Sequence, residues 1–376
     1  MNANPKIPDR KLFLWPLTAI VLGALAAMNP FYAPHIPFSL GVAAWCVDMA
    51  LVLTLAAHPI CARAGVLIAG LFLAVPCFVW AQPFLRALLM CFASMPFAIA
   101  SAPVLFPTII GFRARLFFLC TWGFTCEVKR RARSFNMPSL VQFIAATAIF
   151  AGSFAAVITI PAAGRWLLAR WLAGGIMIFA FAEMETACHK LLTGLMGLMA
   201  PAILQSPCLS ASVNEFWAKR WNPAASVLFR SFCFKPLARQ GVAVATFVTF
   251  ILSAIGHALL VFMAIGEWNL SLACGAFFLV QPVFIMIEHS MKITRWRLAA
   301  RRAWTLFVLA LTSPLFVEPL LQIIGRGWVK SGNTVSANVL PPTIAALGFV
   351  VFVVVFFALA SFASCPEHAP SKTALS

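Results

Sequence analysis

Long apolar stretches constrain this chain more than any other feature of its sequence. About ten of them follow one another, each close to the ~20 apolar residues that an α-helix needs to cross roughly 30 Å of hydrocarbon. Because a segment in lipid must satisfy its own backbone polar groups, the pattern predicts an all-α bundle of transmembrane helices. The predicted spans are Leu12–Met28, Phe38–Ala57, Gly65–Ala81, Leu88–Ile110, Leu140–Ile160, Leu172–Ala187, Val242–Ile265, Leu272–Ile287, Trp304–Ile324 and Thr343–Phe362.

Composition excludes a soluble fold and disfavours a nucleic-acid partner. The chain has 376 residues, of which 62% are hydrophobic and 10% charged, whereas soluble domains carry about 25% charged residues. The net charge of +17 comes from basic residues between the apolar runs, where the positive-inside bias and anionic lipids account for them. The 11 cysteines include no C-x-x-C pair and lie mostly in apolar runs, so we expect no disulfide framework and no metal site.

The basic residues also predict how the spans are oriented. Three loops carry clusters of Lys and Arg, and all three fall on one side if there are ten spans and both termini are cytoplasmic. The host membrane is then a bacterial inner membrane or the endoplasmic reticulum. We expect one domain over residues 1–376, with a disordered polar tail over 364–376. The clusters are Arg113, Arg115, Lys129, Arg130, Arg131 and Arg133; Lys219, Arg220, Arg230, Lys235 and Arg239; and Lys292, Arg295, Arg297, Arg301 and Arg302. The exceptions are Arg165, Arg170, Arg326 and Lys330.

A motif region over residues 206–260 contains a short predicted helix between two spans. Ser212 and Glu215 have capping-box spacing, and Pro223 disfavours helical geometry at Asn222. These signals predict an interfacial helix near residues 213–221. Its Trp217 and Trp221 are four residues apart and are expected to share one face at headgroup level, with the cations toward phosphate. The helix is either an interfacial anchor or part of a site.

His257 is the main candidate for chemistry within a span. It follows Val242 by a distance that corresponds to about 22 Å of helix, well inside the hydrocarbon core. An ionisable residue at that depth is a functional candidate; the alternative is a neutral histidine hydrogen-bonded between helices. Ser253 lies one turn earlier on the same face, and Gly256 permits close approach of a neighbouring backbone or ligand.

The run N-E-F-W-A-K-R-W-N, the following K-P-L and a helix with G-H-A-L-L resemble the wax-synthase branch of the membrane-bound O-acyltransferases. The family pattern is a Phe-Trp…Arg-Trp-Asn motif followed, some tens of residues later, by an intramembrane histidine. The resemblance covers residues 206–260. Lys219 stands where Arg is common, and Ala258 follows the histidine where Glu is expected. The residues that the resemblance assigns to the substrate site are Phe216, Trp217, Lys219, Arg220, Trp221, Ser253 and Gly256.

This resemblance implies transfer of an acyl group from acyl-CoA to the hydroxyl of a lipophilic alcohol, within a tunnel between transmembrane helices. His257 is then the general base that takes the hydroxyl proton, and Asn222 orients the donor or hydrogen-bonds near the developing oxyanion. Acyl-CoA is a co-substrate, and we expect no cofactor. The expected partners are acyl-CoA, the alcohol and membrane lipids.

Two other functions remain open on the sequence alone. A proton-coupled transporter or flippase could use His257, Glu183 and Glu185, although no repeat symmetry with paired broken helices supports it. A non-catalytic scaffold is the third possibility. For Glu183, Glu185 and His189 we favour hydrogen bonds between helices over a metal or proton site. Other polar residues near predicted span ends are Glu288 and His289, for which we expect an interfacial role, and Glu318, a possible tunnel residue.

Overall fold

A computed structural model describes residues 18, 36–55, 62–80, 83–87, 89–90, 129–130, 132–161, 164–195, 197–199 and 202–328 of the chain. Within these residues the protein is almost entirely helical, and its four strands are only two residues long. Three predicted spans lie wholly or mostly outside the described residues, as does the predicted disordered tail. These spans are Leu12–Met28, Leu88–Ile110 and Thr343–Phe362.

Twelve α-helices are described, and several short turns of tighter or wider helix connect them. The helices are α1 (Phe38–Leu55), α2 (Ala62–Phe72), α3 (Val75–Phe78), α4 (Met137–Thr159), α5 (Leu167–Leu195), α6 (Val213–Glu215), α7 (Pro223–Phe229), α8 (Lys235–Leu237), α9 (Val242–Ile265), α10 (Trp268–Ser290), α11 (Leu298–Thr312) and α12 (Pro314–Trp328). The strands are β1 (Ile36–Pro37), β2 (Val79–Trp80), β3 (Lys129–Arg130) and β4 (Leu198–Met199). Strand β1 pairs in parallel with β2, and β3 pairs antiparallel with β4.

Four described helices are long and apolar enough to cross a membrane, and a bent pair makes up to five. The spanning segments are Met137–Thr159, Gly164–Leu195, Val242–Ile265 and Trp268–Ser290. They confirm the predicted helical membrane fold. The total of ten spans and the tunnel stay predictions. The segment Gly164–Leu195 is longer than the predicted span Leu172–Ala187, so the polar residues near its C-terminal end belong to the helix itself.

The predicted span Trp304–Ile324 coincides with a bent pair of helices, because the chain turns by 47° between α11 and α12. Pro314 cannot donate a backbone hydrogen bond, so the helical ladder is interrupted at this point. The hydroxyl of Ser313 donates to the carbonyl of Ala310 at 2.9 Å, and that of Thr312 donates to Val308 at 2.9 Å. The break thus places two hydroxyls and a proline in the middle of an apolar segment.

Helices α9 and α10 form a tight antiparallel hairpin that carries much of the core. The chain reverses at Gly266, which has φ of 79°, a left-handed conformation that glycine adopts without strain. Farther along the hairpin, a Cβ added to Gly275 would lie 3.4 Å from the Cβ of Ala258. Small residues at such contacts let membrane helices approach closely.

The described residues of the three basic clusters lie at one end of the bundle. Strand pairing brings Lys129 and Arg130 beside residues 198–199, just beyond α5. From the start of α11, Arg301 donates through Nε to the carbonyl of Ala211 at 3.2 Å, so this loop meets the motif region. We refer to this side of the molecule as the basic end. Its cytoplasmic orientation stays a prediction.

Candidate active site

The motif helix begins where the sequence predicts. The hydroxyl of Ser212 accepts a hydrogen bond from the backbone N–H of Glu215 at 2.9 Å, and it satisfies a donor that the first helical turn leaves open. The carboxylate of Glu215 accepts from the backbone N–H of Ala211 at 2.9 Å, one residue before the expected partner. The predicted helix cap at Ser212 is therefore confirmed. The returning hydrogen bond to Glu215 comes from the N–H of Ala211 rather than from that of Ser212.

The motif helix does not keep α-helical periodicity, and this corrects one prediction. Residues Phe216–Arg220 form a π-helical turn in which the N–H of Trp221 donates to the carbonyl of Phe216 at 2.8 Å. The wider turn stacks the rings of Phe216 and Trp221 at 5.4 Å between centroids. Trp217 instead points into the bundle, where its ring meets Phe250 at 6.0 Å. The two tryptophans therefore do not share an interfacial face.

Arg220 fastens the motif helix to the preceding loop. Its Nε lies 2.7 Å from Oε1 of Glu215, and its Nη1 donates to the carbonyl of Gln205 at 3.0 Å. Burial raises the pKa of the Glu215 carboxyl, but the hydrogen bond from Ala211 and the charge and hydrogen bond of Arg220 outweigh it. The net result is a pKa below the usual range. Lys219 is exposed at the basic end. The assignment of Lys219 and Arg220 to the substrate site stays a prediction.

Glu288 reaches the motif helix from another span, which the sequence reasoning missed. The glutamate is buried near the C-terminal end of α10. Its Oε1 accepts hydrogen bonds from the backbone N–H of Val213 at 2.7 Å and from Nε1 of Trp304 at 3.1 Å. A carboxylate is favourable at a helix N-terminus, where backbone donors are open. Glu288 therefore joins three elements, and its position at the membrane interface stays a prediction. The signal available in the sequence was a carboxylate at the end of an apolar run.

Replacing Glu288 with alanine is expected to loosen the motif helix, because it leaves the Val213 N–H and the Trp304 indole without their shared acceptor. Hydrogen bonds to charged groups contribute roughly 1.5–3 kcal/mol each. The measurement is thermal unfolding in detergent together with limited proteolysis of residues 202–241. His289→Ala, an exposed neighbour, is the matched control. Equal melting temperature and equal proteolysis for both variants would contradict this role.

Asn222 follows the π-helical turn and caps the next helix. Its φ is 46°, a left-handed conformation that asparagine tolerates better than most residues. Its Oδ1 accepts from the backbone N–H of Ala225 at 3.2 Å. In the part of the chain that the structure describes, no hydrogen bond joins Asn222 to His257. The Oδ1 atom is thus engaged in the cap, and the predicted role of Asn222 toward the donor or the oxyanion stays a prediction.

His257 lies in α9 among aromatic side chains. Its ring stacks on Phe278 at 4.0 Å between centroids and meets the edge of Phe316 at 6.1 Å. Its Nδ1 lies 2.8 Å from the carbonyl oxygen of Ser253. Because a carbonyl only accepts, Nδ1 carries the proton in neutral imidazole, and Nε2 bears the lone pair. Ser253, one turn earlier on the same face, therefore contacts His257 through its backbone carbonyl.

Among the described residues, the close approach between α9 and α10 lies at Gly275. No described atom lies within 4 Å of a Cβ built on Gly256, whereas a Cβ on Gly275 would contact Ala258 at 3.4 Å. The small side chain of Ala258 and the absence of one at Gly275 let α9 and α10 approach closely at this point. A role for Gly256 in binding substrate stays a prediction.

The acidic residues Glu183 and Glu185 lie on α5, whereas His257 lies on α9. Glu183 accepts a hydrogen bond from Nε2 of Gln142 on α4, which fits the hydrogen bonding between helices that we favour. His189 is buried, and neither of its ring nitrogens has a hydrogen-bond partner among the described residues, so the expected hydrogen bond between helices is not seen for this residue. The described residues contain no group of three or more His, Cys, Asp or Glu side chains that could hold a metal ion. No described hydrogen bond connects Glu183 or Glu185 to His257.

Comparison with known proteins finds a protein family and relatives that match the motif region. Residues 200–280 match the membrane bound O-acyl transferase family. A probable long-chain-alcohol O-fatty-acyltransferase 2 from Arabidopsis thaliana is 30% identical over 149 residues, which cover 35% of this chain and 42% of that protein. A probable long-chain-alcohol O-fatty-acyltransferase 7 from the same plant is 26% identical over 137 residues, which cover 32% of this chain and 39% of that protein.

These matches confirm the resemblance to the wax-synthase branch that the motif region predicts. The chain spans about two fifths of the length of the relatives it matches. The matched family region contains both Asn222 and His257, together with all of α9. Together with the apolar helices, the matches identify an integral membrane protein in which residues 200–280 are similar to the membrane bound O-acyl transferase family.

Proposed function

We propose that this protein transfers a fatty acyl group from acyl-CoA to the hydroxyl of a long-chain alcohol. The observation that carries the proposal is the protonation of the His257 ring within the matched region, with the proton on Nδ1 and the lone pair on Nε2. The Ser253 carbonyl holds the proton on Nδ1, so Nε2 is an available base among the rings of Phe278 and Phe316. An apolar setting favours the neutral imidazole and also suits an alkyl chain.

In the proposed reaction Nε2 takes the proton of the alcohol as its oxygen attacks the thioester carbonyl. The C–O bond forms, and a tetrahedral oxyanion develops. When the C–S bond breaks, the CoA thiolate leaves and takes the proton from the imidazolium. His257 thereby returns to its neutral imidazole form. The proposed reaction needs neither a covalent acyl-enzyme nor a cofactor. A general base of this kind typically contributes about 10²–10⁴-fold to the rate.

The two ends of the substrate site differ in chemistry. Lys219 is exposed at the basic end, where CoA phosphates would meet cations. The side chains of Phe316, Leu260 and Leu320 pack against the buried apolar cluster that contains Phe278, the ring stacked on His257. We therefore place the acyl-CoA headgroup at the basic end, on the cytoplasmic side, and both alkyl chains among the apolar helices.

The direct test uses purified protein in nanodiscs with radiolabelled palmitoyl-CoA and a panel of acceptors. The panel contains a long-chain alcohol, a diacylglycerol, a sterol and a sugar. We expect labelled ester with the long-chain alcohol and little with the sugar, because a sugar would have to desolvate its hydroxyls among phenylalanine rings. Ester formed only with the sugar would contradict the proposed acceptor. Absence of ester from folded protein with every acceptor would contradict the proposed function.

Asn222→Asp separates the two roles that the structure allows for this residue. Aspartate keeps the cap to Ala225 and tolerates the left-handed backbone, but it replaces the Nδ2 donor with an oxygen. If Nδ2 stabilises the oxyanion, kcat is expected to fall about 10²-fold with little change in melting temperature. Asn222→Ala, which also loses the cap, is the comparison variant. Wild-type kcat in Asn222→Asp would reduce Asn222 to a helix cap.

A further inference from the structure

Gln281 is a fully buried amide in α10, inside an otherwise apolar segment. Its Oε1 accepts a hydrogen bond from Nε1 of Trp217 at 3.2 Å. Its Nε2 donates to the hydroxyl of Thr312 at 3.2 Å and to the carbonyl of Phe277 at 3.0 Å. One side chain therefore binds the motif helix, its own helix and the last residue of α11 at the same time.

The chemistry of the partners fixes the orientation of this amide. An indole N–H can only donate, so it must face the oxygen of Gln281. The hydroxyl of Thr312 donates its proton to the carbonyl of Val308 at 2.9 Å, so it accepts from the amide nitrogen. Both Nε2 protons are used. Reversing the amide would place two donors against each other at Trp217, which a buried site does not tolerate.

The bridge reaches His257 through two ring contacts. The indole of Trp217 lies 5.7 Å from the ring of Phe278, measured between centroids. Phe278 in turn stacks on the imidazole of His257 at 4.0 Å. Pro282 follows Gln281 and cannot donate to the carbonyl of Phe278, so the helix is less constrained at this turn. Near the backbone hydrogen bond that Pro282 cannot make, the side chain of Gln281 donates to the carbonyl of Phe277 and to the hydroxyl of Thr312.

We propose that Gln281 is a positioning residue that holds Trp217 and Phe278 in place, and through them the imidazole of His257. It also ties this assembly to Thr312, next to the break between α11 and α12. The proposal rests on the proposed acyl transfer for its kinetic consequences, but the bridge itself is independent of that reaction. If the supporting side chain is lost, the reaction rate falls, because a misplacement of a reacting group by about 1 Å can lower the rate about 10²-fold.

The kinetic test compares Gln281→Leu with Gln142→Leu. Each variant removes a glutamine that joins two helices, but Gln142 bonds to Glu183, away from His257. Gln281→Leu is expected to lower kcat about tenfold and to leave KM for the alcohol within about twofold of wild type. Thr312→Val removes one arm of the bridge and should lower kcat by a smaller factor. Gln281→Glu keeps the acceptor for Trp217 and should retain more activity than Gln281→Leu.

A second measurement does not depend on activity. Carbethoxylation of His257 by diethyl pyrocarbonate, followed by mass spectrometry, reports how accessible Nε2 is. Gln281→Leu is expected to accelerate this labelling at least about threefold over wild type and over Gln142→Leu, because the stacked ring is no longer held.

The two measurements separate the possible failures. Wild-type protein that forms no ester contradicts the proposed function, and the labelling result then decides the role of Gln281 alone. Equal labelling and equal kcat in Gln281→Leu and Gln142→Leu would overturn the positioning role. So would a rise in KM with unchanged kcat, because it would assign Gln281 to substrate binding.

Discussion

Replacing His257 with alanine is expected to lower kcat for ester formation by about 10²–10⁴-fold, because the variant lacks the base that takes the alcohol proton. The Ser253 carbonyl loses its imidazole partner, but the remaining backbone of α9 keeps its helical hydrogen bonds. The measurement is initial rate against alcohol concentration for purified protein in nanodiscs at equal folded yield. KM is expected to change little, since the missing group acts mainly in the transition state.

Two variants keep this experiment interpretable. His289→Ala removes an exposed histidine at the end of α10 and is expected to match wild type in kcat. His257→Gln keeps a polar side chain beside Phe278 but has no nitrogen lone pair to accept a proton. It should therefore be as slow as His257→Ala. Wild-type kcat in His257→Ala would remove the histidine from the mechanism, whereas full activity in His257→Gln alone would reduce it to a hydrogen-bonding role.

Local signals in the sequence predicted the parts of the site that depend on neighbouring residues. The cap at Ser212 follows from a hydroxyl placed three residues before Glu215. The end of the motif helix follows from the proline after Asn222. The limits of α9 match the predicted span Val242–Ile265, because the apolar run is bounded by Gly241 and Gly266. Each of these features needs only a few residues of context.

Packing between distant segments accounts for what the sequence did not predict. Trp217 turns into the bundle because the π-helical turn and the amide of Gln281 both favour that direction. The partner of Glu288 lies 75 residues earlier at Val213. Hydropathy alone places Gln281 and Glu288 in or beside apolar runs, and it carries no information about which donors they meet. Pro314 in the sequence signals a possible bend, but the length of the apolar run alone does not reveal it.

An ion pair explains one exception to the charge pattern. Arg170 lies near the start of α5, away from the basic end, and it is buried. Its Nη1 lies 3.1 Å from Oε2 of Glu318 on α12. The same carboxylate accepts from Nε1 of Trp171 at 2.8 Å and from Nε2 of Gln322 at 2.6 Å. A cation within a spanning segment is tolerated here because a carboxylate and its hydrogen bonds compensate it.

Replacing Glu318 with leucine is therefore expected to destabilise the protein by about 3–5 kcal/mol, because it leaves the buried guanidinium of Arg170 without a counter-charge. The packing around the pair leaves little room for relaxation. A Cβ on Gly174, one turn along α5 from Arg170, would lie 2.7 Å from Val317 and 2.9 Å from Leu321. The measurement is the melting temperature in detergent, followed by size-exclusion chromatography, at neutral pH.

The double variant Arg170→Leu/Glu318→Leu is the decisive comparison. A buried ion pair gains little net free energy over apolar residues of similar volume, since desolvation of two charges offsets their attraction. The double variant is therefore expected to melt closer to wild type than Glu318→Leu does. Gln322→Leu removes one hydrogen bond to the carboxylate without removing charge, so it should cost less than Glu318→Leu, roughly 1.5–3 kcal/mol. A double variant as unstable as Glu318→Leu would show that α5 and α12 depend on the charges themselves, and that the unpaired cation is not the cause.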